Sequence, residues 1–279
     1  MVSYARISDI ESIKKLWREV FGDSSEFLNL YFNERFQCEQ CLVCIEGEKL
    51  CASLQMLPYT LQLNGAPYSA CYIFAIMTAP LERNKGYMRK LLEFAFNELK
   101  QKKIPFVFLI PQEPYLFNIY AKFGFKKAFL VDKKKLMLPE KQVSYFEPDI
   151  VKAYEFYSEY YLGKNLVCQS YPQFEFIYKT IKIEGGHILA IGEHDSMEGL
   201  CLCINTENGV RALDFLSPNN VTSKHLLSAI RSKYNVNTAI VSQYDGNINS
   251  YLGMCIILNE QAFTYTDTQS IYLSLMMNE

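Results

Sequence analysis

The stretch with the most chemical content is Thr78-Ala79-Pro80-Leu81-Glu82-Arg83-Asn84-Lys85-Gly86-Tyr87-Met88-Arg89, where an apolar, strand-like run passes through a short basic turn into a helix-like one. A diphosphate suits that pattern. The first N–H groups of a helix lack intrahelical acceptors and lie at the positive end of its dipole, Gly86 lets the backbone come close to a ligand, and Arg83, Lys85 or Arg89 adds charge. The same residues also suit an ordinary strand-to-helix turn with solvated basic side chains. The turn alone leaves both readings open.

Two other sets of residues invite a metal reading. Cys38-x-x-Cys41-x-x-Cys44 has a suggestive spacing, but no Cys-Pro ligand follows at the ferredoxin interval and the triplet runs into a strand-like segment. Buried apolar cysteines are the expectation. His187, His194 and His225 are scattered over a hairpin and a helix without ligand spacing, so surface or structural roles are expected and no metal is assigned.

The elements that must hold the basic turn follow from periodicity. Ser8-Asp9-Ile10-Glu11 reads as a capping box, and Ile10, Ile13, Leu16, Trp17 and Val20 recur at helical spacing up to Gly22-Asp23. A second helix is expected through Phe27, Tyr31 and Phe32. Strand-like runs at Leu42 to Glu46, Leu50 to Leu57 and Tyr59 to Leu63 form a meander, with Asn64-Gly65 as a turn, and Tyr68 to Thr78 is a longer strand. Beyond Gly86, Met88, Leu91, Leu92, Ala95 and Leu99 lie on one helix face. A strand at Phe106 to Ile110, a short helix through Tyr115 to Phe123, and a strand pair around Phe129 and Leu136 complete this half.

The second half repeats the order. Asp149-Ile150 opens a helix as Asp9-Ile10 does, and the strand ending at Pro218 matches the one ending at Pro80 at nearly the same offset. Between them lie a helix from Pro172 to Lys182, strands around Ile188 and Leu202, and an Asn208-Gly209 turn. A helix with Leu226, Leu227, Ile230 and Tyr234 on one face follows Pro218, and then a strand from Ala239 to Ser242. The expected architecture is α+β, in two tandem units of residues 1–139 and 140–279 joined around Pro139 to Tyr145. Asn219-Asn220-Val221-Thr222-Ser223 lacks the glycine and arginine of the first turn, its Thr222 and Ser223 read as helix caps, and the strand 239–242 is followed by Tyr244-Asp245-Gly246, with no counterpart of the first half's Tyr120-x-x-Phe123-Gly124-Phe125 segment. The second unit therefore reads as a copy without a ligand turn.

Composition bounds the partners. At 279 residues, 49% hydrophobic and 21% charged, the chain has material for a sizeable core. Its 28 Lys+Arg nearly cancel 30 Asp+Glu, which argues against a nucleic-acid partner. No apolar stretch is long enough for a signal peptide core or a membrane span, and nine cysteines without an export signal suit a reduced, cytoplasmic protein.

The order of two helices, a meander, the Arg83-x-x-Gly86 turn and helix, a strand, and then Tyr120-Ala121-Lys122-Phe123-Gly124-Phe125 resembles the Gcn5-related N-acetyltransferase (GNAT) superfamily. The tandem arrangement is most similar to its enhanced-intracellular-survival branch. The superfamily pattern usually has Gly or Ala where this chain has Met88. The resemblance implies two GNAT-like units, each with a mixed, mostly antiparallel sheet flanked by helices, and acetyl-CoA as acyl donor in the first. Ile76, Met77 and Thr78 would offer backbone groups to the pantetheine arm, and Arg83, Asn84, Lys85, Gly86, Tyr87, Met88 and Arg89 would hold the pyrophosphate. Gln112 and Glu113 would make a short cofactor-contacting segment. Tyr120 matches the tyrosine that protonates the departing thiolate, a role a phenol can fill at close range.

No general base stands out, since Glu113 also suits a solvated loop carboxylate and Glu82 is expected to face water. The implied function is transfer of acetyl from acetyl-CoA to a small-molecule or peptide amine by direct attack, with the second unit shaping the acceptor pocket. A non-catalytic acyl-CoA sensor or scaffold is the alternative from another class, and a tandem aminoacyltransferase the alternative within enzymes. The apolar tail, Tyr272-Leu273-Ser274-Leu275-Met276-Met277-Asn278-Glu279, is expected to dock structurally by completing a sheet; the alternative is that Glu279 reaches the active site as a base, as a terminal carboxylate does in the resembling branch.

Overall fold

The computed structural model describes residues 1–207, 209–243, 250–258 and 271–273. The chain is α+β and forms two compact units. The first holds Met1–Leu61, Pro67–Ala128 and residues 253–258; the second holds residues 62–66, 129–252 where described, and 271–273. Neither unit is a single stretch of sequence.

In the first unit, β1 (Val2–Tyr4) precedes α1 (Ile10–Phe21) and α2 (Ser25–Glu34), followed by β2 (Cys41–Glu46), β3 (Lys49–Leu63) and β4 (Ala66–Thr78). Then come α3 (Tyr87–Gln101), β5 (Phe106–Leu109) and α4 (Pro114–Ala121). α1 stops where Gly22 turns left-handed, and the Ser24 hydroxyl caps α2 by accepting from the Phe27 N–H. Its start differs from the expected capping box. A 3₁₀ turn at Ile7–Asp9 precedes the helix, and the Asp9 carboxylate accepts from the Arg6 N–H at 2.8 Å. β3 also departs from expectation, because it runs unbroken through the exposed Pro58 where two strands were expected.

β1–β2 and β2–β3 pair antiparallel, while β4 and β5 pair parallel over Ala70–Tyr72 and Phe106–Phe108 only. The far side of β5 pairs antiparallel with Met254 to Ile257 of β12 (Ser250–Ile257), a strand from the end of the chain. β6 (Lys126–Met137), one strand where a pair was expected, belongs almost wholly to the second unit and pairs with β11 (Thr238–Gln243).

The two faces of the first sheet have different cores. Leu91, Leu92, Ala95 and Leu99 of α3 pack with Ala52, Leu54, Ile73, Val107 and Leu109. Each fully buried leucine contributes about 1.5–3 kcal/mol. The other face is aromatic: Trp17 of α1 and Tyr31 of α2 lie 5.6 and 5.8 Å from Phe74 of β4, and Tyr72 stacks on Phe108 at 5.0 Å.

The second unit contains α5 (Ile150–Tyr160), β7 (Leu166–Cys168), α6 (Tyr171–Ile183), β8 (His187–Glu193), β9 (Ser196–Thr206), β10 (Gly209–Leu216) and α7 (Asn220–Tyr234). β6, β11, β10, β9 and β8 lie side by side, with β10 and β11 parallel over Val210–Ala212 and Ala239–Val241. Alternation splits its core: Ile188, Leu200 and Leu202 face Phe174 and Ile177, while Leu189, Cys201 and Cys203 face Leu226 and Ile230. β13 (Tyr272–Leu273) pairs parallel with β7, so this part of the apolar tail completes a sheet. Asn208, Tyr244-Asp245-Gly246 and Glu279 lie outside the described residues.

Candidate functional site

Where β4 leaves β5, a single irregularity re-aims the strand. Cys71 and Ile73 point toward α3 as alternation requires, but Ala75 takes φ +47°, and Ile76 rather than Ala75 then packs on the α3 side. Beyond Tyr72 the two strands no longer pair, although β4 continues to Thr78. A left-handed alanine leaves no mark in a sequence, and Ala75 was not among the expected site residues. Its only signal is in register: β10 shifts between Ala212 and Asp214, at Leu213, 138 residues on and at the same offset as Pro218 from Pro80.

The end of β4 is tied down, since the Ala79 N–H donates to the Cys51 carbonyl at 2.9 Å. A 3₁₀ turn over Pro80–Glu82 leads into the basic residues. Asn84 and Gly86 both take left-handed backbone, at φ +66° and +82°. Gly86 is the N-cap of α3, and no side chain caps the helix. The donors of its first turn therefore meet no capping side chain, as an anion site requires.

Charge around the turn differs from the expectation for Glu82. Its side chain is only 11% exposed, with one carboxylate oxygen 2.7 Å from Lys49 Nζ and the other 2.8 Å from Lys85 Nζ. These two hydrogen bonds hold the Glu82 pKa below the usual carboxylate range. A carboxylate between two ammonium groups is better stabilised there than in water, which is why it turns inward. Lys85 thus serves the turn's own structure as well as adding charge, and Lys49, on the other side of Glu82, is a cation the sequence reading missed. Arg83 is exposed with no ion pair among the described residues. Arg89 lies 3.7 Å from Glu93 and 5.0 Å from the centre of the Phe123 ring.

Tyr120 comes from α4, which starts at Pro114 with Glu113 as its N-cap residue; Gln112 lies in the bend just before. The Tyr120 ring packs in the same cluster as Tyr87 and Leu91, with Ile76 and Met88 against it, and meets Phe125 edge-on at 6.1 Å. The structure therefore brings together the end of β4, the start of α3 and Tyr120. Burial, helped by nearby Tyr115, pushes the Tyr120 phenol up to about 12, so it stays protonated at neutral pH. Tyr87 is also raised, first by its bond to Glu46 and then by burial. Met77 is buried, whereas Ile76 and Thr78 are half-buried.

The cysteine triplet does not converge. Cys41 and Cys44 lie three apart on β2 and so point to opposite faces, all nine cysteines are free thiols, and seven are buried. Among the described residues no cluster of His, Cys, Asp or Glu is arranged to hold a metal. His187 Nδ1 lies 2.6 Å from Glu147, His194 packs on Phe146, and His225 lies beside Lys141. No helix among the described residues is long and apolar enough to cross a membrane.

Residues 1–128 match the family model described as an acetyltransferase (GNAT) domain. That segment is a GNAT acetyltransferase domain. Solved structures extend the likeness to nearly the whole chain. A GCN5-related N-acetyltransferase from Anabaena variabilis superposes with a TM-score of 0.75 at 18% identity, covering 93% of this chain and 73% of that one. Eis1 from Mycobacterium abscessus gives 0.69 at 9% identity, with 94% and 75% covered. The N-myristoyltransferase of Saccharomyces cerevisiae, solved with bound myristoyl-CoA, gives 0.59 at 11%, with 91% and 77% covered. At these identities the likeness is one of fold. No curated protein matches the chain. The GNAT domain supports acyl-CoA-dependent acyl transfer as the general activity.

Proposed function

We propose that the GNAT domain transfers acetyl from acetyl-CoA to a primary amine by direct attack, and that the second unit carries no acyl-CoA site. One contrast carries this reading. At the start of α3 no side chain caps the helix and Gly86 is left-handed. At the matching start of α7, the Asn219 side chain accepts from the N–H groups of both Val221 and Thr222 at 3.0 Å. A helix whose first donors are already bonded to its own side chain has little left for a phosphate; one whose donors lack a side-chain cap is suited to hold it.

Acetyl-CoA supplies an activated thioester, and the chain's residues do the rest. The end of β4 beyond its pairing with β5, at Ile76, Met77 and Thr78, offers backbone groups on that side to an extended amide-bearing arm. Arg83, Asn84, Lys85, Gly86, Tyr87, Met88 and Arg89 receive the pyrophosphate, and Gln112 and Glu113 flank the arm from the start of α4. Tyr120, protonated and held in the α3-side core with Phe125 edge-on to its ring, gives its proton to the departing thiolate. Calorimetry with acetyl-CoA, followed by thiol detection with a panel of amines, tests the proposal. Binding without thiol release for any amine would instead make the domain an acyl-CoA sensor.

A further inference from the structure

The aromatic face of the first unit's sheet contains a group of polar atoms that nothing among the described residues satisfies. Among the described residues five buried side-chain polar atoms have no partner, and three of them, Arg35 Nη2, Ser53 Oγ and Gln55 Nε2, belong to this face. Ser53 and Gln55 are both 0% exposed and alternate with Ala52, Leu54 and Met56, which face α3, so the two polar side chains point the other way. The Tyr31 hydroxyl donates to Gln55 Oε1 at 2.5 Å, which fixes the amide and leaves its N–H₂ group unused. Arg35 follows Tyr31 by one helical turn, its N–H donating to the Tyr31 carbonyl; its guanidinium lies 6.0 Å from the centre of the Tyr59 ring, on the same strand as Gln55, and donates to the Tyr59 hydroxyl, which leaves Nη2 without a partner.

The chemistry of this set is one-sided. A guanidinium and an amide N–H₂ only donate, and the serine hydroxyl, which can donate as well as accept, leaves the set with an excess of donors. No Asp or Glu pairs with Arg35 among the described residues. Buried donors without acceptors are costly, a buried cationic one most of all, and a carboxylate answers a guanidinium with two parallel hydrogen bonds. Arg35 is half-buried, so it is the member of the set that solvent reaches. The group also lies close to the proposed reaction centre. Tyr31, bonded to Gln55, packs 5.8 Å from Phe74, the residue just before the left-handed Ala75 and the strand end assigned to the acyl donor.

We infer that Arg35, Gln55 and Ser53 form a carboxylate subsite, and that the amine acetylated by this domain belongs to an α-amino acid. This rests on the acetyl-transfer reading above. Arg35 supplies charge and the two-pronged contact, Gln55 and Ser53 complete the donor set, and Tyr31 is a positioning residue that orients the Gln55 amide. An acceptor such as a polyamine, with only cationic groups, meets repulsion from Arg35.

The experiment compares each amino acid with its own carboxamide, using acetyl-CoA and thiol release. For the best amino acid, kcat/KM is expected to exceed that of the amide at least tenfold. In Arg35→Met the ratio is expected to fall to within about twofold through a higher KM for the acid, with acetyl-CoA affinity unchanged and Arg35→Lys intermediate. Ser53→Ala, a smaller change, is expected to raise the same KM a few-fold and so covers the case in which Arg35→Met folds poorly. Amides as good as acids in the parent, or an acid preference that survives Arg35→Met, would overturn the subsite. Acetyl-CoA binding with no amino acid acetylated would overturn it too, leaving the donor site standing, whereas failure of acetyl-CoA to bind would remove the reading beneath it.

Discussion

Gly86 is the position at which a ligand-binding turn and a purely structural one are told apart by experiment. Its φ of +82° is a conformation that L side chains rarely adopt, yet a Cβ built there meets nothing within 4 Å. Gly86→Ala therefore creates backbone strain without a clash, at about 1–2 kcal/mol. At ~2–4 °C per kcal/mol for a chain of this size, the melting temperature should fall by ~2–8 °C. Affinity should fall much further. If the alanine relaxes toward right-handed backbone, the N–H groups at the start of α3 swing away from the phosphates. Losing two charge-assisted hydrogen bonds, at about 1.5–3 kcal/mol each, weakens binding by roughly 10²-fold or more. Gly163 supplies the control, because it has φ +75° and equally open surroundings but lies in the second unit. Gly163→Ala should show a similar loss of melting temperature and unchanged acetyl-CoA affinity by calorimetry. Equal affinities for the two variants would refute the phosphate role of the turn.

Tyr120→Phe keeps the packed ring and loses the proton, so kcat should fall by ~10²–10⁴ with acetyl-CoA affinity held. Because burial holds the phenol at about 12, rates measured up to pH 10 should show no falling limb from Tyr120; a limb near pH 9 that vanishes in Tyr120→Phe would contradict this. Stability should decline in alkali. Burial raises the thiols of Cys41, Cys71 and Cys255, so their native forms keep protons that the unfolded chain loses above its thiol pKa of ~8.5. Stability present below that pH is lost as pH rises, by about 1.4 kcal/mol per thiol at pH ~9.5 or about 4 kcal/mol for three, readable by urea unfolding at pH 7.5 and 9.5 under reducing conditions. Asn219→Ala should destabilise the chain by about 0.5–2 kcal/mol through the lost cap and, on the proposed function, leave acetyl-CoA binding at α3 unchanged.

Much of the site was legible because its signals are local. Gly86 announces a left-handed residue, the basic turn precedes an apolar face at helical spacing, and Tyr120 is marked by the Phe-Gly-Phe segment beside it. Signals that depend on distant partners were not legible. Ala75 adopts positive φ because the sheet demands it there, and alanine carries no preference for that conformation. Glu82 looked like a surface carboxylate until Lys49, from the start of β3, was brought beside it. β6 and β12 each satisfy strand patterning, but which strand pairs with which is decided by tertiary packing; the neighbour of β5 comes from residues 254–257. Arg35, Ser53 and Gln55 look unremarkable along the chain, and only their shared face turns them into a group.

On the proposed function, only the GNAT domain binds and uses an acyl-CoA. Calorimetric titration of the full chain with acetyl-CoA, repeated on Gly86→Ala and Asn219→Ala and paired with thiol release in the presence of an acceptor amine, tests it most directly. One site per chain is expected, weakened by roughly 10²-fold or more in Gly86→Ala, kept in Asn219→Ala, and productive only when amine is present. Two sites per chain, or one that survives Gly86→Ala with its affinity intact, would contradict it.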